Sequence, residues 1–255
     1  MFQTLGAGRA PSPTCYPCPV IVDLWQRATT TQPPLPWTWA LALAVAALVV
    51  TWSPLGHRLV RHLVTLLHEA GHALVAALGG RRLSGIRLHS DTSGLTVSHG
   101  RTRGPGMVTM LAAGYPAPAL VGLGGAALVG QGYAAGWLWA LVLTCAVLLL
   151  LVRNLYGLWV VLATGAAVAA LSWSASPPVL SAAAYLVVWS LLLAAPRAVV
   201  GLQRGRRQVL RRRSDSDADQ LARLTGVPAV LWVGLFWLVC VACLLAGGWL
   251  LLRTG

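Results

Sequence analysis

Long apolar runs, broken by short polar stretches, dominate this chain. They fall at about Pro36–Trp52, Gly56–Leu78, Gly106–Gly130, Gly136–Val152, Leu155–Trp173, Pro178–Val200 and Val227–Leu252. Each is close to the roughly 20 residues that a helix needs to cross the hydrocarbon core of a bilayer. The pattern predicts an all-α polytopic membrane protein with about six to seven transmembrane helices. One interval changes period. In Ile86-Arg87-Leu88-His89 and Leu95-Thr96-Val97-Ser98-His99 apolar and polar residues alternate, with Ser90-Asp91-Thr92-Ser93-Gly94 between them. Alternation of period two around a turn ending in glycine predicts a small β-hairpin within residues 81–104, after the second span.

The second span has an unusual polar face. After His57 its polar residues are Arg58, Arg61, His62, Thr65, His68, Glu69 and His72. Their spacings of three and one trace one stripe of a helix, and Ala76 continues it. Ionisable groups facing lipid cost roughly 2.5–3.5 kcal/mol each on insertion scales, so the stripe must turn toward protein or water. Within it lies Leu67-His68-Glu69-Ala70-Gly71-His72-Ala73, and Glu69 is the sole glutamate of the 255 residues. Histidines four apart leave a helix on one face and can share a metal ion, with the glutamate placed to deprotonate a bound water. In the third span, Ala113-Gly114-Tyr115-Pro116-Ala117-Pro118 predicts an opened or kinked helix, tolerated at membrane depth where protein or a water-filled cavity receives the freed carbonyls.

Composition agrees with a membrane setting: 57% hydrophobic, 10% charged and a mean hydropathy of +0.71, against about 25% charged for a soluble domain. The net charge of +13 comes from 19 arginines without a lysine. Nucleic acid is the obvious partner for such a charge, but these arginines lie in loops between apolar spans. They read as a positive-inside topology signal, and no nucleic-acid partner is expected. With seven spans, a cytoplasmic Pro-rich tail (residues 1–36) and a cytoplasmic basic and acidic loop (201–226), every arginine except Arg58, Arg61 and Arg253 falls inside. The membrane domain then covers residues 37–255, in the plasma membrane of a GC-rich, bacterial source. Cys15-Tyr16-Pro17-Cys18 stands in the Pro-rich tail without the strand-helix context of a redox site. His89 and His99, on alternating strands, read as solvated.

The His68-Glu69-Ala70-Gly71-His72 run in a membrane helix, the hairpin after it, Gly114-Tyr115-Pro116, and Ser216-Asp217-Ala218-Asp219 before the last span together resemble the site-2 protease family of intramembrane zinc metallopeptidases, in a divergent bacterial branch. The resemblance spans most of residues 55–250. It implies zinc as cofactor, His68 and His72 as zinc ligands and Glu69 as general base. The substrates would be membrane-embedded or juxtamembrane segments of other proteins, which could pair along the hairpin edge. The family takes its third ligand from an aspartate in a later membrane segment, commonly before a glycine. Here Arg153-Asn154-Leu155-Tyr156-Gly157 stands in that place, which makes Asn154 the expected third ligand. Asp215, Asp217 and Asp219 are alternatives, set against a reading in which they pair with the arginines preceding them. A non-catalytic binding or scaffold relative of the same fold is the competing expectation.

Overall fold

The computed structural model describes residues 19–208 and 216–253; Cys15, Cys18 and Asp215 lie outside them. Helices α1 (Pro19–Thr29), α2 (Trp37–Trp52) and α3 (Pro54–Leu78) lead into a hairpin of β1 (Arg82–Leu88) and β2 (Gly94–His99). Then come α4 (Pro105–Ala113), α5 (Pro116–Gly130), α6 (Ala134–Leu151), α7 (Leu155–Ser174), α8 (Pro177–Gln208), α9 (Asp217–Thr225) and α10 (Ala229–Leu252). Four of these, α6, α7, α8 and α10, are long and apolar enough to cross a membrane unaided. The bent pairs α2/α3 and α4/α5 raise the number to six if each is one span.

The expected upper count of seven is therefore not reached among the described residues, because α2 and α3 do not pass as separate spans. At Ser53 the backbone is extended, and Pro54, which has no N–H to donate, starts the next helix after a 96° bend. A 61° bend at Gly114-Tyr115 divides α4 from α5. Residues 19–29 are helical, and the chain after them is docked: Gln32 is buried, accepts at Oε1 from the Ala135 N–H (3.2 Å) and donates its own N–H to Gly132 (2.8 Å).

Two ends of the bundle follow from these contacts. Arg27 donates to the Trp173 carbonyl at the C-terminus of α7, and Gln32 joins the start of α6, so α1 sits at one end. The opposite end carries the C-terminus of α6, where Val152 bridges Ile86 of β1. There too Arg197 of α8 donates to the Thr51 carbonyl and lies over the Trp52 ring at 4.8 Å. α8, 32 residues and about 48 Å long, connects the two ends. The tail from residue 19 and the basic loop after α8 thus lie at opposite ends, which corrects the expectation that both share one side. All described arginines except Arg27 and Arg253 belong to the hairpin end.

The hairpin turns back along α3. Its strands pair antiparallel from Arg82↔His99 to Leu88↔Gly94, with a bulge between Leu83 and Gly85. Thr65 Oγ1 donates to the Thr92 carbonyl at the hairpin tip (2.9 Å), so the tip lies some 13 residues before the end of α3, about 20 Å back along its axis. Ile86 and Leu88 are buried, whereas His89 and His99 are exposed. In sealed vesicles and a cysteine-free background, single cysteines introduced as Thr31→Cys and Arg204→Cys should react with an impermeant maleimide from opposite faces. Labelling of both from one face contradicts this two-ended arrangement.

Candidate metal centre

The polar stripe of α3 faces protein from His62 to His72, whereas Arg58 and Arg61 before it are exposed. His62 Nδ1 donates to the Arg58 carbonyl (2.6 Å), so its Nε2 accepts from the Tyr156 hydroxyl (2.7 Å). Glu69 is 3% exposed, and its Oε2 accepts from Thr96 Oγ1 of β2 at 2.6 Å. His72 is 5% exposed, and its Nδ1 donates to the Met110 carbonyl of α4 at 2.7 Å. That bond fixes the tautomer: in the neutral ring Nε2 carries the lone pair.

Three ligand atoms converge beside Glu69. His68 Nε2 lies 3.0 Å from His72 Nε2, and Asp217 Oδ2 lies 3.2 and 3.3 Å from the two nitrogens. With Nδ1–H of His72 held by Met110, its neutral-ring Nε2 lone pair faces the His68 nitrogen and the Asp217 oxygen, an arrangement that a cation between them would satisfy. Ligands about 2.0–2.1 Å from a tetrahedral zinc ion stand about 3.3 Å from each other, so the donor set and its spacing fit zinc. His68, His72 and Asp217 form the one His/Cys/Asp/Glu group of metal-ligand spacing among the described residues.

Asp217 arrives from a different element than Asn154, the third ligand expected from the sequence. Asn154 lies apart from the cluster because both ends of its amide are taken by one residue of β1. Its Oδ1 accepts from the Leu88 N–H (3.1 Å) and its Nδ2 donates to the Leu88 carbonyl (2.6 Å). Together with the Arg153 N–H on the Ile86 carbonyl (2.9 Å), it fastens the α6–α7 junction to the outer edge of β1. The acidic run before the last span divides its work. Asp219 Oδ1 takes both Nε (3.0 Å) and Nη2 (2.7 Å) of Arg206, while its Oδ2 accepts from Ser216 Oγ (2.5 Å). Pairing with a preceding arginine therefore holds for Asp219. Ser216 caps α9, so Asp217, at its first position, is turned toward the histidines. The Ser-Asp-Ala-Asp spacing with a capping serine was the sequence signal for this.

Two glycines make the approach possible. A Cβ on Gly114 would fall 2.4 Å from His72 Nε2 and 2.6 Å from His68 Cε1; one on Gly94 would fall 2.4 Å from Glu69 Oε1. The α4/α5 break thus brings bare backbone under the histidines, with Tyr115 edge-on to His68 (4.7 Å between ring centroids) and stacked on Phe236 of α10 (5.4 Å). A cavity of about 320 Å³ opens onto His68, Glu69 and Asp217, roomy enough for water.

A multi-pass membrane protein with a His-His-Asp cluster beside a buried glutamate is the class that fold and site define. The chain belongs to the peptidase M50B-like family, whose family model matches residues 41–247, which places it with the site-2 proteases. The M50 proteins are zinc metalloproteases, and the cluster is compatible with zinc binding. No curated protein and no solved structure matched the chain.

Gly114→Ala should lower metal affinity at least tenfold, by titration of the purified protein against a metal indicator, because its methyl group overlaps both imidazoles. Arg206→Ala should weaken metal binding about 10–100-fold, the usual range for losing a group that orients a ligand. Asn154→Ala should keep full metal content while losing about 2 kcal/mol of stability in thermal unfolding, for two lost hydrogen bonds.

Proposed function

We propose that this protein is an intramembrane zinc metalloprotease that hydrolyses peptide bonds in membrane-embedded or juxtamembrane segments of other proteins. The observation that carries the reading is the convergence of His68 Nε2, His72 Nε2 and Asp217 Oδ2 next to Glu69, at the wall of a cavity of about 320 Å³. Zinc held there would supply a Lewis acid for the peptide carbonyl and lower the pKa of water toward neutrality. Glu69 is the proton carrier. Thr96 holds its Oε2, so Oε1 takes the proton from water and returns it to the leaving amide nitrogen. His72 is kept in the ligating tautomer by Met110, and Tyr115 supports the His68 ring.

A substrate helix must unwind before its backbone becomes accessible. The outer edge of β1 is occupied by the chain around Val152–Asn154, so β2, whose Thr96 touches Glu69, offers the edge to which an unwound segment would add. The concentration of arginines at the site end supports a cytoplasmic orientation for the hairpin and the α8–α9 loop. The competing non-catalytic reading rested on a missing third carboxylate; the position of Asp217 Oδ2 beside both histidines supports the catalytic reading over it.

Purified protein should contain one zinc per chain, lost in His68→Ala/His72→Ala; a wild-type protein without zinc would overturn the proposal. Glu69→Gln should retain the zinc and lose at least a thousandfold in cleavage, read as the fragments that disappear from membranes of cells expressing the variant.

A further inference from the structure

The cavity that opens onto His68, Glu69 and Asp217 also contains a cation to which hydrolysis assigns no task. Arg61 lines this cavity from α3, two helical turns before His68 and on the same face, about 10.5 Å away along the helix axis. No carboxylate among the described residues forms an ion pair with it. The acids around it are engaged elsewhere: Glu69 with Thr96, Asp217 with the two histidines, and Asp91 at the hairpin tip with the N–H and hydroxyl of Ser93 (2.9 and 2.6 Å). Val64, Pro118 and Ala198 are apolar neighbours on the same wall. A guanidinium stays charged at every working pH and presents a planar fork that matches a carboxylate. Exposed at the cavity and without an ion-pair or side-chain hydrogen-bond partner among the described residues, it is available to an incoming anion.

Distance sets where on the substrate that anion lies. An extended peptide advances about 3.3–3.4 Å per residue, so 10.5 Å corresponds to about three residues. The reach of two side chains widens this to two to four. We propose that Arg61 is a specificity-determining residue that selects substrate segments bearing an Asp or Glu two to four residues from the cleaved bond. The proposal rests on the peptidase reading and adds the chemistry of its substrate.

Quenched ten-residue peptides in neutral detergent micelles test it. One Glu is walked through positions two to four on either side of the scissile bond, each peptide having a Gln and a Lys twin. Wild type should cleave at least one Glu peptide about two- to fivefold faster in kcat/KM than its Gln twin, as expected for a charge pair at an exposed guanidinium. Arg61→Gln should bring that ratio to about one, Arg61→Lys should keep part of it, and Arg61→Glu should favour the Lys twin. Zinc per chain, unchanged in all three, shows that they fold. Equal cleavage of Glu and Gln twins by wild type overturns the proposal and leaves the peptidase reading standing, whereas no cleavage of any peptide overturns both. A Glu preference that survives Arg61→Gln removes Arg61 from the assignment. Equal twins together with an Arg61-dependent response to added anionic phospholipid assign the cation to a lipid headgroup and also overturn the proposal.

Discussion

A helix with a stripe of ionisable side chains cannot be buried in an apolar bundle unless the buried ones are met by something polar, and much of this structure follows from meeting that need along α3 from His62 to His72. The α4/α5 break presents the Met110 carbonyl to His72, the hairpin folds back to bring Thr96 to Glu69 and Thr92 to Thr65, and the start of α7 brings Tyr156 to His62. Three separate departures from regular helical packing thereby serve one helix. Buried polar groups without partners would cost several kcal/mol in hydrocarbon, which is why the irregular backbone gathers here.

The remaining demand is electrostatic. His68 and His72 turn two nitrogens toward the same point, and Asp217 turns a carboxylate oxygen toward it from a nine-residue helix outside the spans. That helix is held by the Arg206–Asp219 pair and by its own serine cap, so the carboxylate is oriented by groups that do not touch the site themselves. A carboxylate on a short helix between spans also avoids placing another acid inside a membrane helix, where it would be costly. Asn154, on the corresponding junction nearer in sequence, serves the sheet: its amide completes hydrogen bonds that the edge of β1 would otherwise lack.

Much of the fold was legible as periodicity. The apolar runs match α6, α7 and α10 to within a few residues, one run covers α4 and α5 together, α8 continues eight residues past its run, and the two strands lie where the period changes from helical to alternating. The membrane crossings were less legible. A 16-residue apolar run followed by an amphipathic one reads as two spans, and only the 96° bend at Ser53-Pro54 joins them as one bent pair. That single change moved the tail from residue 19 to the end opposite the basic loop. A count of arginines could not detect it, since Arg58 and Arg61 exchanged ends with Arg27.

The sequence by itself determined the membrane class, the hairpin, and the His68-Glu69-His72 face, because helical and strand periods are local properties written in consecutive residues. It also marked the α4/α5 break through Gly114 and Pro116. Tertiary structure decided which carboxylate closes the cluster, which end of the bundle holds each loop, and that the hairpin covers the site instead of standing apart from it. The physical reason is distance along the chain. Asp217 lies 145 residues after His72, and no spacing rule relates side chains that meet only when four separate elements pack against one helix.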